Sequence, residues 1–186
     1  YFIGEGFRKK KSPEDAVQAY RLAIREHPLK DIDGSITFRL GEALSAIGER
    51  DSAVVAFRDY VRKYPAQEFS AQAIWALAQD ESNRGNVQLA LDLYNQIEQS
   101  FYYTSFMDQL VKARAEACFS GNDFARAAQQ YQLMVKHSEA SLNPPSPVAI
   151  GVYANLATCY AKLAKRSDAK RWYAQYLSID DTSAHA

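Results

Sequence analysis

The residues able to do chemistry are few and stand far apart. Histidine occurs only at His27, His137 and His185, and cysteine only at Cys118 and Cys159. A catalytic centre needs titratable groups that converge, and no partner residue stands at triad or ligand spacing from any of these. His27 and His137 fall in the last turns of predicted helices, where an imidazolium meets the negative end of the helix dipole; His185 lies in the tail. The two cysteines sit inside apolar helical patterns and read as buried free thiols, with a disulfide as the alternative. No Cys-x-x-Cys or Cys/His set suggests a metal. There is no glycine-rich phosphate loop and no nucleophile elbow. Gly48-Glu49-Arg50-Asp51 and Gly121-Asn122-Asp123 resemble ion loops but are better explained as a helix stop followed by a new N-cap. The expectation is a protein that is not an enzyme and uses no cofactor or metal.

Composition narrows the remaining classes. With 22 basic and 22 acidic residues among 186, the formal charge is zero, so no overall field draws the chain to nucleic acid or to acidic lipid. Apolar residues make up 47%, enough for a continuous core, yet no window approaches the roughly 18–20 apolar residues of a membrane-spanning helix. Arg8-Lys9-Lys10-Lys11 is the one dense charge run. It reads as a solvated helix end, with an anionic partner as the alternative. Lacking aromatic interleaving apart from Phe7, it does not favour nucleic acid.

The elements that would position a binding surface repeat along the chain. A small residue followed four positions later by an aromatic recurs as Ala16/Tyr20, Ala53/Phe57, Ala90/Tyr94, Ala127/Tyr131 and Ala169/Tyr173, in steps of 37, 37, 37 and 42. Twelve residues before each alanine stands Gly4, Gly41, Ala78, Ala115 or Ala157. One residue before those come Ile3, Leu40, Leu77, Arg114 and Leu156. Small residues on two antiparallel helices let the backbones approach, and the aromatic fills the space beside the contact. Stacked pairs then bury a core that no single pair could build.

Punctuation fits this register. Ser12-Pro13-Glu14-Asp15 reads as an N-cap, a proline at the first helical position and acids in the first turn, and Ser146-Pro147 repeats the device. Gly48, Gly85 and Gly121 end first helices, and His27-Pro28 and Tyr64-Pro65 close second ones. Ten helices are predicted, near 1–9, 13–27, 34–48, 51–63, 69–84, 87–100, 105–120, 123–137, 147–164 and 167–178, and no segment alternates as a strand would.

At Ile3, Gly4, Phe7, Ala16, Tyr20, Ala23 and Pro28, and again at Leu40, Gly41, Leu44, Ala53, Phe57 and Pro65, the chain resembles the tetratricopeptide repeat family. The resemblance implies an all-α fold, an α–α superhelix (a tetratricopeptide-like solenoid) of five helix pairs with 37-residue repeats, taking the chain as a single array over 1–186 with repeats near 1–30, 34–67, 71–104, 108–141 and 147–180. The step exceeds the usual 34 residues. That lengthening, with Tyr-Pro closing a second helix, is similar to bacterial cell-envelope repeat proteins such as the outer-membrane barrel-assembly lipoprotein and the periplasmic partner of the Tol–Pal system. The periplasm or outer membrane is the implied compartment and the cytoplasm the alternative.

In this family the first helix of each pair lines a concave groove. Three residues before each small residue stand Tyr1, Phe38, Trp75, Lys112 and Ala154, so three repeats offer an aromatic at one groove position. Arg39, Glu42, Gln72, Gln79, Asn83, Gln109, Glu116 and Asn155 surround them. Aromatic anchors with hydrogen-bonding neighbours suit a peptide or protein partner. A second candidate patch is Phe101, Tyr102, Tyr103 and Phe106, which otherwise plug the loop after the third pair. The prolines of Asn143-Pro144-Pro145-Ser146-Pro147 stiffen the insertion behind the 42-residue step. The chain is expected to be a piece of a longer protein or one half of an assembly, with Leu177 and Ile179 uncovered. The leading reading is a protein-interaction scaffold of the bacterial envelope; the alternative is an oligomerising module that self-associates through its open ends.

Overall fold

The computed structural model describes residues 1–27, 31, 34–101, 107–140 and 147–183, and among these it holds ten α-helices and no strand. They are α1 (Phe2–Lys9), α2 (Pro13–Glu26), α3 (Ser35–Ala46), α4 (Arg50–Lys63), α5 (Ser70–Asn83), α6 (Val87–Ser100), α7 (Met107–Ser120), α8 (Phe124–Ala140), α9 (Pro147–Lys162) and α10 (Arg166–Ser183). Every helix expected from the sequence is present. The chain divides into two compact units, Tyr1–Asp80 and Glu81–Ala186, with the division inside α5.

One turn design recurs in all five pairs. The residue in left-handed backbone conformation is Lys11, Gly48, Gly85, Asn122 or Ala164, at φ between 57° and 81°. Its N–H and that of the next residue reach back to carbonyls of the ending helix. Lys11, Gly48, Gly85, Asn122 and Ala164 bond the residue three before, at 3.0–3.1 Å, and Ser12, Glu49, Asn86, Asp123 and Lys165 bond the residue five before, at 2.8–3.0 Å. This is a Schellman ending, which satisfies two carbonyls the helix would otherwise leave bare. The fourth repeat corrects the sequence reading by one place, because Asn122 rather than Gly121 takes the left-handed turn. Ser12 does stand at the N-cap of α2, but its side chain makes no capping bond.

The first unit is built on the small–aromatic contact. A methyl group on Gly4 would stand 2.5 Å from the ring of Tyr20, and one on Gly41 would stand 2.7 Å from Phe57. Tyr20, Phe57, Tyr60, Ile36, Leu44 and Ile74 are buried around these contacts. The connection between α2 and α3 is held by Asp31, which is itself buried. Its carboxylate accepts the Ile36 N–H at 2.9 Å, the Thr37 N–H at 3.2 Å and the Thr37 hydroxyl, so it caps α3 from outside. The Tyr64 hydroxyl donates to the Asp31 carbonyl. Gly34, at φ +76°, lies where any side chain would strike the Tyr60 and Tyr64 rings.

In the second unit Ala115, Ala127, Tyr131, Leu156, Cys118 and Cys159 form one buried cluster, with Trp172 and Tyr176 packed against it. Both cysteines are buried and free. Arg114 occupies the column that holds Leu40, Leu77 and Leu156, and it is accommodated by an ion pair with Glu98 of α6 at 2.6 Å.

The turn design predicts how individual substitutions behave. Left-handed backbone costs an L-residue about 1–2 kcal/mol, while glycine costs about 0.5–1 kcal/mol in unfolded-chain entropy. Ala164→Gly should therefore stabilise the chain by about 0.5–1 kcal/mol in urea unfolding. Gly48→Ala should destabilise it by about 1 kcal/mol through the local backbone alone, since apart from its chain neighbours no atom lies within 4 Å of the added methyl. Equal effects of the two changes would contradict the shared turn.

Candidate functional site

The three aromatics expected along the groove do not share one environment. Tyr1 is exposed and Trp75 is half-buried, but Phe38 is only 2% accessible. This corrects the expected stripe. The segment leading into α5 turns Phe69 against Phe38, ring on ring at 4.6 Å and 7°. Phe57 and Tyr60 of α4 close the other sides at 5.7 and 5.6 Å. The Phe69 N–H donates to the Tyr60 hydroxyl at 3.3 Å, which fixes the incoming segment. Helical spacing placed Phe38 correctly on α3, and tertiary packing then covered it.

Arg39 takes the surface place beside it. Its guanidinium lies 4.7 Å from the centre of the Phe69 ring and 5.6 Å from that of Phe38, a cation–π stack that gains strength as water is excluded. Arg39 Nη1 donates to Glu42 Oε2 at 2.6 Å, and Nε lies 3.8 Å from Glu5 Oε1. Glu5 in turn accepts the Tyr20 hydroxyl at 2.6 Å and Arg8 Nη2 at 2.7 Å. Arg8, Glu5, Arg39 and Glu42 thus form a charge ladder from α1 to α3, neutral as a whole. Among the described residues of this unit, the buried donor Arg39 Nε and the buried acceptor Gln72 Oε1 have no hydrogen-bond partner. Such atoms are uncommon and call for a physical explanation.

The other expected residues are more dispersed. Gln79 and Asn83 are exposed on α5. Lys112 and Glu116 pair along α7 at 3.7 Å, both exposed. Asn155 is half-buried and donates to the Tyr131 hydroxyl at 3.2 Å. In the second candidate patch Phe101 is buried, so it offers no exposed face; Tyr102, Tyr103 and Phe106 lie outside the described residues, as does His185. Glu5 and Phe69 were not anticipated, and Arg8, expected in a solvated charge run, pairs with Glu5 instead. For Glu5 a signal existed, because it occupies the repeat position of Glu42 and Glu116.

Electrostatics follow the geometry. Burial pushes the Glu5 carboxyl up, but the hydrogen bonds from Arg8 and Tyr20 and the charges of Arg8 and Arg39 outweigh it and hold it below the usual range. Burial alone would weaken the charge on Arg39; Glu42, by hydrogen bond and charge, raises its pKa instead. Burial pushes Tyr94 and Tyr131 each up to about 12 and the Cys159 thiol up to about 11. Buried thiols with raised pKa values are poor nucleophiles at neutral pH. Among the described residues no three His, Cys, Asp or Glu side chains group as metal ligands, and no helix is long and apolar enough to cross a membrane.

Comparison with known proteins agrees with this fold. The tetratricopeptide repeat family model matches residues 37–66, which span α3 and α4. The crystal structure of MamA superposes with a TM-score of 0.73 at 17% identity, over 99% of this chain and 98% of the other. MamA from Desulfovibrio magneticus RS-1, residues 41 to the end, gives 0.71 at 15%, over 97% and 92%. A kinesin light chain from Podosopora anserina with nearly identical TPR-like repeats gives 0.69 at 18%, over 99% and 94%. No curated protein matches by sequence. At these identities the likeness shows the fold, an all-α array of five tetratricopeptide-like helix pairs.

The charge ladder predicts a specific acid response. The folded pKa of Glu5 lies below its unfolded value, so its stabilisation is complete above the model-peptide value of 4.5 and is lost as pH falls through the folded pKa. Glu5→Gln should lower stability at neutral pH and make its decline shallower between about pH 5 and pH 3. Urea titrations across that range check this, and an unchanged acid slope would contradict it.

Proposed function

We propose that this chain is a protein-interaction scaffold, not an enzyme, and that its first unit takes a peptide or protein segment along the face carrying Trp75, Arg39 and Glu42. The observation that carries the reading is the combination of a half-buried tryptophan with the unsatisfied donor Arg39 Nε and acceptor Gln72 Oε1. A peptide backbone offers both a carbonyl and an N–H, and a small shift on binding would let it meet both atoms. The tryptophan and the stacked arginine are the residue types that most often dominate binding energy at protein interfaces. Tyr1 and Gln79 extend the surface of the first unit in this reading, and Asn83, Lys112, Glu116 and Asn155 are the candidate residues of the second unit. A bacterial cell-envelope setting, with a role in assembly there, is supported by the 37-residue step and the Tyr64-Pro65 closure.

The test places a photoreactive p-benzoylphenylalanine at position 75 and, separately, at position 55, since Val55 is an exposed apolar residue on α4. Irradiation in the source cell should crosslink one protein from position 75 and not from position 55. With that protein purified, Trp75→Ala should weaken binding by about 2 kcal/mol or more, roughly thirtyfold, while the helical signal is unchanged. Crosslinking from position 55 alone, or unchanged affinity of Trp75→Ala, would move the binding surface elsewhere. Recovery of the crosslinked partner in the cytosolic fraction would remove the envelope setting.

A further inference from the structure

Two columns of the repeat decide how one helix pair meets the next. On first helices the residue before each small residue reads Ile3, Leu40, Leu77, Arg114, Leu156; on second helices the residue eight after each repeat alanine reads Ile24, Val61, Glu98, Val135, Leu177. Arg114 and Glu98 are the only charged residues in either column. Two seams inside the second unit show what this changes. Between α8 and α9 the columns supply Val135 and Leu156, both in one buried cluster. Between α6 and α7 they supply Glu98 and Arg114, joined at 2.6 Å. The Arg114 side chain is 11% exposed and that of Glu98 49%. The arginine has therefore lost most of its water, while the carboxylate that balances it stands half in solvent. Arg114 Nε, moreover, is buried with no hydrogen-bond partner among the described residues. Desolvating a charge this far is offset only when its hydrogen bonds are complete, and an apolar pair of similar volume often holds such a contact more tightly.

The same seam covers a thiol. Leu91 of α6 lies in one buried cluster with Cys118 of α7, and Val87 of α6 packs against that cluster. Val87 also abuts the end of α7, where a methyl on Gly121 would stand 1.9 Å from its Cγ2. The repeat register puts Cys118 on the side of α7 that meets α6: Tyr160, at the same position on α9, reaches back to α8 through its hydroxyl, which accepts Gln132 Nε2 at 2.7 Å. Cys159 belongs to α9, which packs on α8 and α10. We infer that α6 and α7 part at this polar seam ahead of the rest of the second unit, and that this local opening brings Cys118, and not Cys159, to solvent. Local openings of this kind start where apolar contact is thinnest. The seam thus makes Cys118 a conditionally reachable thiol in a unit that stays folded. It involves neither Trp75 nor Arg39 and stands apart from the groove-binding reading.

The unaltered chain carries both reporters. N-ethylmaleimide is added at neutral pH, and alkylation of each cysteine is timed by peptide mass after quenching, relative to the same cysteine in the guanidinium-unfolded chain. Both thiols are buried, and burial holds both above their usual pKa range. Alkylation therefore reports the opened state, at a rate set by its population when closing is fast. Restoring the apolar columns with E98V/R114L should slow alkylation of Cys118 by about tenfold or more and leave that of Cys159 unchanged. Glu98→Val alone strands the guanidinium and should speed alkylation of Cys118 by about tenfold or more. The double variant does not depend on that single variant remaining folded. Equal slowing at both cysteines would mean that the pair acts on the unit as a whole, and the local opening would be overturned. A Cys118 rate that the double variant leaves unchanged would overturn it as well.

Discussion

The first unit depends on one close approach, a first helix set directly against the aromatic ring of the helix that follows it. At Gly4 and Gly41 there is no room for even a methyl group without displacing the Tyr20 or Phe57 ring. At Ala78, Ala115 and Ala157 a methyl is present and the residue is wholly or nearly wholly buried. Fixing that separation fixes how deeply every other side chain in the pair interdigitates. The recurring Schellman turn delivers it. It ends the first helix at a constant place and starts the second so that the repeat alanine N–H bonds the carbonyl four residues earlier, at 2.9–3.1 Å in all five pairs. Conservation of that geometry across the 42-residue step shows that the insertion falls between pairs, outside the contact that defines them.

On α3 the aromatic is committed inward, and the surface beside it is left to Arg39 and Glu42. Phe38 and Arg39 illustrate the division of labour. The phenyl ring fills the slot formed by Phe57, Tyr60 and Phe69, and the neighbouring guanidinium covers that slot while its charge is balanced by Glu42 and Glu5. A surface assembled this way presents planar, hydrogen-bonding groups on a rigid support.

Much of this was legible in the residues. The small–aromatic register located all ten helices to within a few residues, because periodic burial is a strong and local signal. What escaped notice was set by tertiary context. Left-handed turns were read only where glycine advertised them, so Lys11, Asn122 and Ala164 were missed, although the spacing from Gly48 and Gly85 points to each. Phe38 was placed on the groove because its helix face pointed there, and nothing local revealed that Phe69 would cover it. The Asp31–Tyr64 latch joins residues 33 apart through a side chain and a carbonyl, which no periodicity records. Arg114 is the charged member of an otherwise apolar column, and Glu98, sixteen residues earlier, provides its partner.

The central claim is that ring and small residue are energetically coupled, and a double-mutant cycle at Gly41 and Phe57 tests it most directly. In a Phe57→Ala background, Gly41→Ala should stabilise the chain by about 1 kcal/mol, the ordinary helix preference of alanine over glycine. In the parent background the ring stands 2.7 Å from the new methyl, so that gain should vanish or reverse, giving a coupling of about 1 kcal/mol or more. The same effect of Gly41→Ala in both backgrounds would mean that the two sites are independent, and the close approach would not be what sets the repeat.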